Sequence, residues 1–243
     1  DISPYDSGSY ASSTTYATGN AVIQACGELR KRIHAFGAQM LGVSAEDSDF
    51  DGEKVYSVKE ERSISLKDIA NNAMCYSNHT LTATAKEKTP VSPPPYMAGA
   101  VEIELDKETG HVEIIDYATC VDCGTVINPA LATVQTEGGL VQGIGMALYE
   151  DVQYDNKGRI LNDSFMQYKI PTRLDMGKIR VEFESSYEPT GPFGAKSIGE
   201  LVINTPSPAL CHAIYNASGV WINELPMTSE KIAMGILKNN IEA

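Results

Sequence analysis

The stretch AVEIELDKETGHVEIIDYATCVDCG, residues 100–124, has the strongest secondary-structure pattern in the chain. Apolar and acidic residues alternate over residues 101–105, and the apolar pattern resumes at Val112 after a turn that contains Gly110. A period of two is typical of strands with one buried face, and a short glycine-containing turn joins such strands into a hairpin. The stretch therefore predicts two long antiparallel strands.

Other parts of the chain show the three- and four-residue spacing of helices or a further strand pattern. Helices are predicted at 14–41, within 63–74 with Ser65 as the N-cap, at 127–150, at 206–219 ended by Gly219, and at 228–241. Strands are predicted within 50–57 and at 178–186. The proline-rich stretch EKTPVSPPPYMAG, residues 87–99, predicts a boundary between a first subdomain (1–89) and a second (90–243). The predicted fold class is α+β, with mixed and antiparallel sheets and packed helices.

The composition limits the partners of the chain. Its 32 acidic and 19 basic residues give a formal charge of −13, which argues against nucleic acid or an anionic membrane as a partner. No apolar run approaches the roughly 20 residues of a membrane span. Five cysteines, an odd number, favour a reducing, cytoplasmic setting.

Metal sites and nucleophile motifs are weakly supported. Cys120 and Cys123 form a C-x-x-C, but no second pair exists for zinc, and the motif ends a strand instead of opening a helix as a thioredoxin motif does. Two ordinary cysteines are the favoured interpretation. The four histidines are scattered, and no G-x-S-x-G accompanies them.

The segment YASSTTYATGNA, residues 10–21, places small hydroxylated residues before a predicted helix. Unpaired N–H groups and the helix dipole at such a start suit an anion, most naturally a phosphate. A plain Ser/Thr cap is the alternative.

The segment QTEGGLVQGIG, residues 135–145, carries four glycines in a predicted helix. Each glycine lowers the stability of a helix by about 1 kcal/mol relative to alanine. Tight helix packing or backbone contact with a cofactor would explain why four are present. The amide of Gln142 can donate and accept hydrogen bonds together, as the edge of a heterocycle requires.

The segment GPFGAKSIGE, residues 191–200, ends on a carboxylate. Gly194 and Gly199 allow close backbone approach, and Lys196 could face an anion. In a glycine-lined, mostly apolar pocket, the pKa of Glu200 would rise toward the working pH and the side chain could serve as a general base. The alternative is a loop glutamate that caps the next helix.

Taken in order, these segments resemble the molybdenum-cofactor subunit of the xanthine dehydrogenase and aldehyde oxidase family. The resemblance rests on GSYASSTTYATGNAV, on VDCGTVINP followed by QTEGGLVQGIGMALYE, on LNDSFMQYKIPTRLDM and on GPFGAKSIGE. It covers nearly the whole chain and implies the fold of the second half of that subunit's cofactor domain.

The resemblance implies a molybdenum hydroxylase, which inserts a water-derived oxygen into an electron-poor carbon of an N-heterocycle or aldehyde. Glu200 matches the family's general base, and Gln142 matches a glutamine that hydrogen-bonds the pterin. The remaining cofactor-binding residues implied by the resemblance are Ala11, Ser12, Ser13 and Thr14, whose backbone touches the cofactor, together with Gly199 and Lys196.

The resemblance also implies what this chain needs from elsewhere. The cofactor is a molybdenum-pterin, with the cytosine dinucleotide form preferred, and iron–sulfur clusters and FAD are expected only in partner subunits or domains. The family's subunit is longer, so its N-terminal half is a further expected partner, and the isolated chain is expected to be inactive. The chain opens without a start methionine, which favours a fragment over a naturally split subunit. A non-catalytic assembly or anion-binding module of the same fold is the alternative function.

Overall fold

The computed structural model describes residues 5, 8–77, 79–88 and 91–242, and the chain divides into two compact units. One unit comprises Asp1–Gly8 and Thr14–Pro90, and the other comprises Ser9–Ser13 and Val91–Ala243. The predicted boundary between residues 89 and 90 lies outside the described residues. Each unit combines helices with a sheet, which confirms the predicted α+β class.

The regular elements are numbered in chain order. The α-helices are α1 (Gly19–Leu41), α2 (Leu66–Cys75), α3 (Pro129–Leu148), α4 (Pro206–Ser218) and α5 (Ser229–Glu242). The strands are β1 (Ser48–Phe50), β2 (Lys54–Ser57), β3 (Ser63–Ser65), β4 (Tyr96–Leu105), β5 (Val112–Asp122) and β6 (Lys178–Phe183). Short helical turns occupy Thr14–Thr18 (a π-helix), Ala45–Asp47, Arg173–Asp175, Pro192–Gly194 and Leu201–Ile203.

The first unit packs α1 and α2 on the antiparallel sheet β1–β2–β3. Its core is formed by Leu41, Phe50, Val55 and Ile69, all buried. The predicted cap of α2 is confirmed, since the Ser65 hydroxyl accepts the N–H of Asp68 at 3.1 Å. The predicted long helix is also present, although its first turn is a π-helix and α1 itself begins at Gly19.

The second unit is built on a three-stranded mixed sheet in the order β4–β5–β6. Strands β4 and β5 form the predicted antiparallel hairpin, and β6 runs parallel to β5. The register shifts where Glu102 pairs with Asp116 and Ile103 pairs with Ile114, which leaves Ile115 as the extra residue of a β-bulge. The bulge moves the buried face of β5 from Ile114 to Tyr117, because one inserted residue reverses the side-chain alternation.

Helices α3 and α4 contact each other, and their apolar side chains join those of the sheet and α5 in the core of the second unit. Tyr117, Leu140, Ile144, Leu210 and Ile232 are fully buried there.

Candidate functional site

The loop of residues 191–200, here called the glycine loop, is fastened to the end of β5. The N–H of Thr125 donates to the carbonyl of Gly194 at 2.8 Å, and the N–H of Lys196 donates to the carbonyl of Cys123 at 2.7 Å. Gly124 and Gly194 have φ of 69° and 87°, in the left-handed region that glycine favours. A side chain on Gly124 would overlap the carbonyl of Gly194. These two glycines therefore permit contact between two chain segments.

Lys196 forms a largely buried ion pair with Asp122, the last residue of β5. Its Nζ lies 2.7 Å from Asp122 Oδ2, and the two side chains are 11% and 19% exposed. The same ammonium lies 5.4 Å from the centre of the Tyr96 ring. Lys196 thus joins the glycine loop to the sheet, and its predicted part in cofactor binding stays a prediction.

Asp122 receives two more hydrogen bonds. Ser186 Oγ donates to Oδ1 at 2.5 Å, and the N–H of Gly124 donates to the same oxygen at 3.0 Å. Burial raises the pKa of Asp122, but the hydrogen bonds from Lys196, Ser186 and Gly124 outweigh burial and hold the pKa below its ordinary value. Asp122 is therefore stabilised as an anion in the folded protein.

The far end of the glycine loop is held by Ser12. The Ser12 hydroxyl accepts the N–H of Glu200 at 2.7 Å and donates to Glu200 Oε2 at 3.1 Å. Glu200 stands before the helical turn Leu201–Ile203 but makes no side-chain capping bond. Its side chain is exposed, so the apolar pocket expected from the sequence is not formed around it by the second unit.

Ser12 lies in a strained turn. Ala11 and Ser12 have φ of 47° and 58°, and the N–H of Ser13 donates to the carbonyl of Tyr10 at 3.0 Å. Successive left-handed residues other than glycine cost about 1 kcal/mol each, and such strain is concentrated at functional sites. Gly199 packs against this turn, since a Cβ there would lie 3.2 Å from Ser12 Oγ.

Helix α3 supports the same loop through Gln135, whose Nε2 donates to the carbonyl of Gly199 at 2.9 Å. Two helix glycines provide close packing: a Cβ on Gly139 would overlap Val202, and one on Gly143 would lie 2.8 Å from the carbonyl oxygen of Ile203. Gly138 faces open space: apart from its chain neighbours and the backbone of its own helix, no atom of the described residues lies within 4 Å of an added Cβ. Packing therefore explains the glycines at 139 and 143, whereas it does not explain Gly138.

Gln142 lies on the exposed side of α3, and its side-chain amide makes no hydrogen bond within the described residues. It follows Gln135 by seven residues, which is two helical turns or roughly 10 Å along the same side of the helix. The alternative interpretation of the hydroxyl-rich segment, a Ser/Thr cap, is not seen at α1, because Thr18 makes no side-chain capping bond.

The structure thus brings three of the predicted site residues into contact, namely Ser12, Gly199 and Glu200. Ala11 and Ser13 flank Ser12, and Lys196 lies four residues before Glu200. Thr14 belongs to the first unit. No sequence pattern singled out Asp122 or Gln135, although both lie in segments that carry the resemblance to the family.

The C-x-x-C motif behaves as two ordinary cysteines. Cys120 is exposed and Cys123 is buried, and both are free thiols. Burial, and then the neighbouring Asp122 carboxylate, raises the pKa of the Cys123 thiol, which disfavours the thiolate needed for metal binding or attack. Within the residues that the structure describes, no three His, Cys, Asp or Glu side chains are grouped as metal ligands. None of the helices in the described ranges is long and apolar enough to cross a membrane.

Comparison with known proteins identifies the fold. The crystal structure of quinoline 2-oxidoreductase from Pseudomonas putida 86 superposes with a TM-score of 0.81 at 26% identity, over 98% of this chain and 32% of that one. The Escherichia coli (strain K12) protein named "Probable hypoxanthine oxidase XdhD" is 35% identical over 98% of this chain and 25% of its own length. The xanthine dehydrogenase molybdenum-binding subunit of Escherichia coli O157:H7 is 33% identical over 96% of this chain and 32% of its own length.

The fold and the matched family place the chain among cofactor-binding domains. The family described as "Molybdopterin cofactor-binding domain" matches residues 1–177, and the chain belongs to that family, as a molybdopterin-binding portion of the xanthine dehydrogenase and aldehyde oxidase type. The chain spans about a quarter to a third of the length of the relatives it matches.

The residues present fit a large polar cofactor. Gln142 offers an amide with no hydrogen bond within the described residues, Gly138 leaves open space on the same helix, and Glu200 Oε1 accepts no hydrogen bond from the described residues. The edge of a pterin carries hydrogen-bond donors and acceptors, so it requires protein groups that can accept and donate in turn.

Proposed function

We propose that this chain is the cofactor-binding portion of a molybdenum hydroxylase in which Glu200 is the general base. The observation that carries the proposal is the Glu200 carboxylate, which is exposed and held through Oε2, while Oε1 accepts no hydrogen bond from the described residues and can take a proton. A base must be fixed within hydrogen-bond reach of the proton that it takes. The two hydrogen bonds between Ser12 and Glu200, one in each direction, and the attachment of the glycine loop to β5 provide that fixation.

The substrate is an N-heterocycle or an aldehyde whose carbon undergoes a two-electron oxidation and gains a water-derived oxygen. When bound, the molybdenum-pterin cofactor supplies the oxidant and the metal charge that acidifies the attacking water. Glu200 receives the proton, and Gln142 hydrogen-bonds the pterin. The backbone of residues 11–14 and Gly199 approach the cofactor. Hypoxanthine, xanthine and quinoline, the compounds named for the relatives, are all N-heterocycles and support that class.

The cytosine dinucleotide form of the cofactor and a cytoplasmic location are part of the proposal. All five cysteines are unpaired thiols, as expected in a reducing compartment. Lys196 contributes positive charge near the cofactor while it remains paired with Asp122.

The rest of the cofactor subunit, together with iron–sulfur and flavin partners, completes the enzyme in this proposal. Supporting it, large apolar side chains on α3 and on the segment before β6 are exposed: Leu131, Val134, Phe165, Met166 and Leu174. Exposed apolar groups of this size commonly mark a surface that another part of a protein covers. The isolated chain is accordingly proposed to be inactive.

The test replaces Glu200 by Gln in the complete enzyme purified from its native source. We expect molybdenum and pterin contents equal to those of the wild type and a kcat lower by about 10²–10⁴-fold, the range for loss of a general base. Glu184→Gln is the matched control, because this carboxylate is also exposed and should leave kcat unchanged. Wild-type turnover by Glu200→Gln would exclude Glu200 as the base, and absence of molybdenum from the native protein would favour a non-catalytic module.

A further inference from the structure

A single hydroxyl engages two atoms of Glu200 at once. Ser12 Oγ accepts the backbone N–H of Glu200 at 2.7 Å and donates its own proton to Oε2 of the same residue at 3.1 Å. These bonds close a ring through the Glu200 side chain, so rotation about its bonds is restrained. A serine hydroxyl can do both because it has one donor and two acceptor positions.

Ser12 is itself held in place. Its left-handed backbone, with φ of 58°, directs the hydroxyl from a tight turn, and Gly199 packs against its side chain. The carbonyl of Gly199 is bound by Gln135 at 2.9 Å. The hydrogen-bonded ring is therefore held at Ser12 by the tight turn and next to Glu200 by the bond from Gln135 of α3 to Gly199.

We infer that the Ser12 hydroxyl is a positioning group for Glu200, an inference that rests on the proposed role of Glu200 as base. By occupying Oε2, Ser12 leaves Oε1 as the oxygen that takes the proton, and it fixes the direction of that oxygen. This side-chain role is additional to the backbone contact with the cofactor proposed for residues 11–14. A misplacement of about 1 Å at a reacting group can cost about 10²-fold in rate.

The test uses Ser12→Ala and Ser12→Gly in the complete enzyme. Glycine suits the left-handed backbone, so Ser12→Gly removes the hydroxyl with the least risk to folding. We expect molybdenum content equal to that of the wild type, kcat lower by about 10–100-fold with KM changed by less than about threefold, and faster hydrogen–deuterium exchange of the Glu200 amide. Ser9→Ala, in the same segment, is the matched control and should change none of these quantities.

A double variant tests whether Ser12 acts through Glu200. Ser12→Gly added to Glu200→Gln should lower kcat no further, because residues that act as a unit are not additive. An independent further loss, wild-type kcat in Ser12→Gly, unchanged amide exchange, or a loss of molybdenum would each overturn the inference. If Glu200→Gln keeps wild-type turnover, the proposed function fails instead. The amide-exchange result would still show whether the Ser12 contact exists.

Discussion

Lys196 Nζ lies 2.7 Å from Asp122 Oδ2, and this largely buried ion pair joins the glycine loop to the end of β5. The other carboxylate oxygen, Asp122 Oδ1, accepts hydrogen bonds from the Ser186 hydroxyl and the N–H of Gly124. The base proposed at Glu200 therefore lies on a loop whose earlier part is tied to the sheet by charge, and whose end is tied to Ser12 and α3.

Removing the Lys196 ammonium should destabilise the protein. Lys196→Met leaves the Asp122 carboxylate buried without its counter-charge, and we expect a loss of about 3 kcal/mol in the free energy of unfolding. Arg180→Met is the control, because Arg180 pairs with Asp116 at 3.0 Å with its side chain 53% exposed and should cost less than about 1 kcal/mol. Urea unfolding measures both variants. Equal losses would contradict a structural role for the buried pair.

The free energy of unfolding should depend on pH through the ionisation of Asp122. The pKa of Asp122 is lowered in the folded protein, so its ionised carboxylate stabilises the fold. This stabilisation is fully present above the pKa of the unfolded chain, about 3.9, and is lost as the pH falls through the lower pKa of the folded protein. In Asp122→Asn this contribution is absent. The difference in unfolding free energy between the wild type and Asp122→Asn should therefore shrink as the pH falls from 6 to 3. A difference that stays constant over this range would contradict the prediction.

Two glycines of α3 should respond in opposite ways to alanine. In Gly143→Ala the new Cβ would lie 2.7 Å from Pro206 Cγ and 2.8 Å from the carbonyl oxygen of Ile203, so we expect a loss of about 1–3 kcal/mol. In Gly138→Ala the Cβ enters open space, and the higher helix propensity should add up to about 1 kcal/mol. Thermal unfolding distinguishes the two. Destabilisation by Gly138→Ala would show that this position is packed.

Loss of the Gln142 amide should affect the cofactor and leave the fold unchanged. Because the Gln142 side chain is exposed and makes no hydrogen bond within the described residues, we expect Gln142→Ala to unfold at the wild-type temperature. Its complete enzyme should retain less pterin and molybdenum. Glu137→Ala is the control, since Glu137 lies on the same helix, roughly 140° away around its axis, and should keep both. Wild-type cofactor content in Gln142→Ala would exclude the proposed pterin contact.

The predictable part of the fold is the part encoded by local periodicity. The hairpin over residues 100–124, helix α3 and the Ser65 cap could be read from spacing, because period-two and period-3.6 patterns record which side of an element is buried. The bulge at Ile115 is also visible in the sequence, because the buried apolar residues of β5 fall on even-numbered positions up to Ile114 and on odd-numbered positions from Tyr117. The order of the glycine-rich and hydroxyl-rich segments was sufficient to indicate the family.

The pairings within the site depended on the tertiary structure. Lys196 could have faced an anion or a carboxylate, and only the approach of the glycine loop to β5 selects Asp122, 74 residues earlier. Ser12 and Glu200 are 188 residues apart, and no spacing rule relates them. Periodicity shows which residues are buried, but the partner of a charge or hydroxyl is set by the packing of distant segments. The sequence by itself therefore determined the long hairpin, the main helices, the class of fold and the candidate base. The tertiary structure decided that residues 63–65 pair as strand β3, and it decided what holds the candidate base in position.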